Sequence, residues 1–176
     1  MEKIIGDYKI IINHAEVDSP RVSEDNLSTM VCFHSKYDLG DDHSYVYHEY
    51  DGWDDLQKAI VKDEDPAVIL PLYFLDHSGQ SISLSPFVGH GWDYGRVGFV
   101  FVSKEDVRNE YRAKRMSKRI LELATSVLKA EVETYDKYMK GEVYKFKVFK
   151  NEELIDECTG FFGQEECLEA ALECIE

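Results

Sequence analysis

Apolar residues recur along this chain at two different periods. Short β-branched and aromatic runs at 8–13 (YKIIIN) and 27–34 (LSTMVCFH) predict strands. Residues 15–26 between them are polar, contain Pro20 and predict a loop. Residues 35–50 are irregular, with Gly40 as a turn marker. From residue 51 the spacing becomes helical. Trp53, Leu56 and Ile60 recur on one face, Asp51 stands where a cap belongs, and Pro66 closes the helix because the residue before proline avoids the helical region. Residues 67–75 and 80–85 predict a hairpin around Asp76-His77-Ser78-Gly79, a turn by composition. Residues 96–102 alternate too little for a half-exposed strand and predict a central, buried one.

Ser103-Lys104-Glu105-Asp106 resembles a capping box opening a helix that breaks near Ala113. The longest predicted helix is 117–140, striped by Ile120, Leu121, Ala124, Val127, Leu128, Val132 and Tyr135, with Gly141 at its stop. Residues 142–150 alternate Tyr144, Phe146 and Val148 against Lys145 and Lys147, a half-exposed strand. A turn at 151–153 leads into 154–159. Gly160-Phe161-Phe162-Gly163 then precedes a last helix with Cys167, Leu168, Ala171, Leu172 and Ile175 on one side. There is no internal repeat and no linker. Strands interrupted by helices without regular βαβ alternation predict one α+β domain over residues 1–176, with a mostly antiparallel sheet, one long amphipathic helix and a C-terminal helix.

Composition narrows the class. A chain of 176 residues can bury roughly 70% of its unfolded surface, enough for a real core. The apolar content of 44% excludes wholesale disorder. The longest apolar run, 68–75, contains Pro71 and is far short of a bilayer span, so no membrane association is expected. The start, MEKIIGDYK, lacks a long apolar stretch, which predicts a cytoplasmic protein. Cys32, Cys158, Cys167 and Cys174 show no C-x-x-C spacing and read as buried thiols.

The net charge of −15 is unevenly spread, with −7 over residues 35–65, +5 over 104–150 and −9 over 151–176. An acidic face can compete for a groove that holds nucleic acid, or it can serve solubility alone. The charge leaves both open.

Candidate chemistry is sparse. His77 and His90, with Asp76 and Asp93, bracket the hairpin and hold donors that suit zinc or manganese, the basis for a metal-dependent hydrolase. No H-x-E or H-E-x-x-H pattern places two ligands on one element, so the preferred reading is turn bonding by Asp76 and Ser78 and packing by His90 and Trp92. No catalytic residue, cofactor or metal is assigned. Ser78 and Ser85 lack a nucleophile elbow. Gly89, Gly91 and Gly95 precede a strand, whereas a phosphate cradle needs a helix N-terminus. Arg108, Arg112, Lys114, Arg115, Lys118 and Arg119 form a basic helical run over 104–119, a candidate for weak nucleic-acid contact set against a solvated face. Tyr45, Tyr47, Tyr50 and Trp53, mixed with Asp41, Asp42, Glu49, Asp51, Asp54 and Asp55, read as a partner-binding surface, set against ordinary ring packing.

The order D-x-S-G (Asp76, Ser78, Gly79), then S-x-x-P-F, then W-D-x-G-x-V-G-F-V-F-V-S-K-E-D (Trp92, Asp93, Gly95, Gly98) resembles a family of small accessory proteins carried by phages and other mobile elements. The run from Glu131 to Tyr138 and Gly141-Glu142-Val143-Tyr144 extend the likeness, which spans about Tyr73 to Gly163. Small acidic proteins of this kind include anti-CRISPR inhibitors of type II effector nucleases. The resemblance implies a non-enzymatic inhibitor in the cytoplasm of an infected or lysogenic bacterium. Its partner would be a type II CRISPR effector–guide complex, and homodimerisation is left open.

Overall fold

The computed structural model describes residues 1–77, 79–89 and 94–175. In chain order the elements are β1 (Glu2–Ile5), β2 (Tyr8–His14), α1 (Pro20–Ser23), β3 (Thr29–Cys32), α2 (Trp53–Glu64), β4 (Pro66–Asp76), β5 (Gln80–Ser83), β6 (Tyr94–Ser103), α3 (Lys104–Glu110), α4 (Lys118–Met139), β7 (Val143–Lys150), β8 (Glu153–Phe162) and α5 (Gln164–Glu173). The fold is α+β, and the named strands pair antiparallel throughout. They form two sheets, ordered β1-β2-β7-β8 and β3-β6-β4-β5, where the alternation predicted one. A period of two tells which side chains face a core, not which strands are neighbours. Two compact units result, residues 1–19 with 137–176, and residues 20–136.

In the first unit, antiparallel register sets Ile10 opposite Val148 and Ile12 opposite Phe146. All four are buried, and α5 lays Cys167 and Ala171 on them, small side chains that permit close approach. Asn151 and Glu152, at φ 48° and 71°, turn the β7–β8 hairpin with both central residues left-handed, the geometry that matches strand twist. Gly141 stops α4 at φ 71°, its N–H donating to Tyr138 while that of Glu142 reaches Lys137.

In the second unit β6 is central, and Val97 to Val102 are buried as predicted. A Cβ at Gly98 would lie 1.8 Å from the Val31 carbonyl oxygen, so the β3–β6 contact admits only glycine there. β4 tolerates Pro66 and Pro71 because β5 pairs only Tyr73 to Asp76, leaving that side of the earlier residues unpaired. α2 packs Leu56 and Ile60 against Val31, Phe99 and Phe101. Each such fully buried side chain contributes about 1.5–3 kcal/mol.

Three local expectations are corrected. Gly52, at φ 83°, is the α2 cap, and Asp51 lies one residue too early, its N–H donating to Asp55 at 3.3 Å. The segment predicted as loop contains α1, which begins on Pro20, a residue whose fixed φ suits a first helical position. The break expected near Ala113 is present but falls earlier. Ser103 caps α3 as expected, accepting from Asp106 N–H at 3.0 Å, but α3 ends at Glu110. There Arg112, left-handed at φ 48°, donates to Asn109, and Ala113 N–H donates to Arg108 at 3.0 Å, closing the helix.

Candidate functional site

The polar centre of the second unit is Arg21. Its side chain is 2% exposed and spends its donors fully: Asp41 takes Nε and Nη2, Asn26 and Glu131 share Nη1, and the Ser28 carbonyl takes Nη2 at 2.6 Å. Glu131 of α4 in turn accepts from the Leu27 and Ser28 N–H groups and from the Ser28 hydroxyl, while Asp41 accepts from Met30 N–H at 2.7 Å. Burial works against the guanidinium charge, but the hydrogen bonds and fields of Asp41 and Glu131 outweigh it, and its pKa is raised. A satisfied buried ion network of this kind holds segments in place. Asp41 is therefore an internal ligand of Arg21, not a rim acid; nothing in the local pattern singled out Arg21 or Asn26, and Glu131 stood out only as the first residue of the resembling run 131–138.

The aromatic half of the 41–55 segment is likewise turned inward. Tyr45, Tyr50 and Trp53 are half-buried and pack on the Val31, Leu56, Ile60, Phe99 and Phe101 core. Tyr45 donates to Glu64 at 3.1 Å, and burial, with the charge of Glu64 next, pushes its phenol upward. Tyr47 is 38% exposed and sits 4.7 Å from the Trp53 ring. Asp42, Glu49, Asp51 and Asp54 are exposed, and Asp55 is half-buried. The segment thus presents acids to solvent from a backbone anchored by its rings.

Two concavities open beside it. One, of about 480 Å³, is lined by Phe33, Tyr37, Asp38, Asp42, His43 and Tyr47 among others. The second, of about 410 Å³, shares Phe33, His34 and Ser35 with the first and continues to Phe74, Tyr94 and Arg96. His34 stacks on Tyr37 at 5.0 Å, and His43 Nε2 lies 2.9 Å from the Cys32 carbonyl oxygen.

The remaining predicted residues scatter. Arg108, Arg112, Lys114, Arg115, Lys118 and Arg119 are exposed, but they lie on α3, on the irregular residues 111–117 and on the start of α4, so the helical face expected for them does not exist. Asp76 accepts from Tyr37 at 3.2 Å and lies 3.5 Å from the Lys36 ammonium. Among the described residues nothing lies within 4 Å of a Cβ placed at Gly79 or Gly95, in contrast to Gly98. Ser78, His90, Trp92 and Asp93 lie outside the described residues. Among the described residues, no three His, Cys, Asp or Glu side chains are grouped to hold a metal ion. Cys32 and Cys167 are buried as expected, but Cys158 is exposed because β8 is a sheet edge, and Cys174 is half-buried. No described helix is long and apolar enough to cross a membrane.

Comparison with protein-family models, with curated proteins and with solved structures finds no match to this chain.

Proposed function

We propose that this protein is a binding inhibitor that docks an acidic face onto the basic surface of a defence nuclease. The type II CRISPR effector is the target class implied by the motif resemblance. The observation that carries this reading is the outward display of Asp42, Glu49, Asp51 and Asp54 from a segment whose rings are packed on the core. A preorganised charged rim costs little ordering on association and steers encounter with a partner of opposite sign. Effectors of this class hold nucleic acid in positively charged channels.

Binding to the effector–guide complex and inhibition of its DNA cleavage test the proposal. Reversal of Asp42, Glu49, Asp51 and Asp54 to Lys is expected to slow association and weaken inhibition. The matched reversal of Glu165, Glu166, Glu169 and Glu173 keeps the same net charge and is expected to leave inhibition intact. Loss in the second variant alone would place the contact on α5, and no binding by the unaltered protein would overturn the target.

A further inference from the structure

Arg96 is the one described arginine whose side chain is set among rings without a described hydrogen-bonding partner. Its guanidinium lies 4.3 Å from the Phe99 ring centroid and 5.7 Å from that of Trp53. Its Nε is buried and meets no acceptor among the described residues. Buried donors left unmet are rare, and an ion or ligand is a standard reason for one. The orientation is built into the sheet. β4 and β6 slip register between Leu72 and Tyr73, so that Leu72 faces Gly98 while Tyr73 faces Arg96, and Val97 is the extra residue. A bulge of this kind re-aims the neighbouring side chain, here onto the face of Phe99, and Phe33 N–H locks it by donating to the Val97 carbonyl at 2.8 Å.

The surroundings favour an anion. Arg96 lines the concavity of about 410 Å³, a volume that accommodates a small-molecule ligand. His34 lines it too. Its Nδ1 is taken as acceptor by Lys36 N–H at 3.3 Å, which in the neutral ring leaves the proton on Nε2 as a donor. Lys36 adds an exposed cation at the rim. The acid in the described lining, Asp76, is engaged by Lys36 and by the Tyr37 hydroxyl. Phe33, Phe74 and Tyr94 supply flat apolar wall. In a chain of net charge −15, a guanidinium that pairs with no acid among the described residues and lies over rings is suited to a planar two-point contact with an oxyanion.

We propose that this cleft binds a small molecule carrying an oxyanion, phosphate or carboxylate, on a flat ring, with Arg96 as the principal anion contact. Calorimetric titration of the full chain with adenosine monophosphate, benzoate and adenosine tests it. Adenosine monophosphate or benzoate is expected to bind with a Kd tighter than about 1 mM. Binding of the first alone identifies a phosphate ligand and of the second alone a carboxylate. Arg96→Gln is expected to weaken that binding at least about tenfold, and Arg96→Lys and Lys36→Gln by less, with folding of each variant checked by circular dichroism. If Arg96→Gln does not fold, the Arg96→Lys comparison decides: unchanged affinity there overturns the proposal. So does failure of both anions to bind, or adenosine binding as tightly as its monophosphate.

Discussion

The guanidinium of Arg21 is held by both oxygens of Asp41, Nε to Oδ1 at 2.8 Å and Nη2 to Oδ2 at 2.5 Å. Twenty residues apart in sequence, the two side chains fasten α1 to the start of the acidic segment. Glu131 ties the same node to α4. Arg21→Met or Asp41→Asn leaves a buried charge or donor without its partner and is expected to lower stability by about 3–5 kcal/mol, read from the urea midpoint. A loss below about 1 kcal/mol would mean that the pair behaves as a surface ion pair.

Arg112 occupies a left-handed position at the end of α3, where a side chain is strained and glycine is not. Arg112→Gly is expected to raise stability by about 1 kcal/mol. Lys114→Gly, two residues on and outside that motif, serves as the control and should bring no gain.

Nucleic-acid affinity should be weak. The basic residues between 104 and 119 are split between two helices and the chain joining them, and the chain as a whole carries −15. Bare duplex is expected to bind only at low salt, with Arg108, Arg112, Arg115 and Arg119 to Ala together changing little at physiological salt. Sub-micromolar binding there, abolished by the four substitutions, would favour a nucleic-acid-binding role over the inhibitor.

The four thiols should separate by reactivity. Cys158 is exposed and is expected to be alkylated first in the native protein, ahead of Cys32 and Cys167. Burial pushes the Cys32 thiol up to about 12 and that of Cys167 to about 11, from an ordinary value of 9.0. The folded chain therefore keeps these protons after the unfolded chain has lost them. Their contribution to stability is complete below pH 9 and is lost as pH climbs toward 11 and 12. Denaturant midpoints measured from pH 8 to 11 should fall, and Cys32→Ala should reduce the slope.

Periodicity made the elements readable but not their partners. The alternation at Tyr144, Phe146 and Val148 and the apolar run of β6 announced strands, and Ser103 and Gly141 marked helix ends that the structure keeps. What escaped was non-local or carried by backbone alone. No local pattern says that β2 pairs with β7, or that Arg21 meets Glu131 across more than a hundred residues. The break near Ala113 was legible, but its agent was not, a left-handed arginine where composition would look for glycine or proline. Within the candidate site, the exposed acids were legible as charge. The inward turn of Tyr45, Tyr50 and Trp53 was not, because rings that lid a core and rings that meet a partner share one spacing.

The assembly of the first unit from both ends of the chain sets an order of events during synthesis. Residues 20–136 form a continuous stretch and can fold as they leave the ribosome. The β1–β2 hairpin emerges earliest yet waits longest, since Tyr8 pairs with Lys150. Until then the edge of β2 is bare, its Ile10 and Ile12 lacking the β7 and α5 residues that cover them. The amino-terminal strands are thus first made and last protected, and nascent chains stalled before β7 are the species most prone to aggregate.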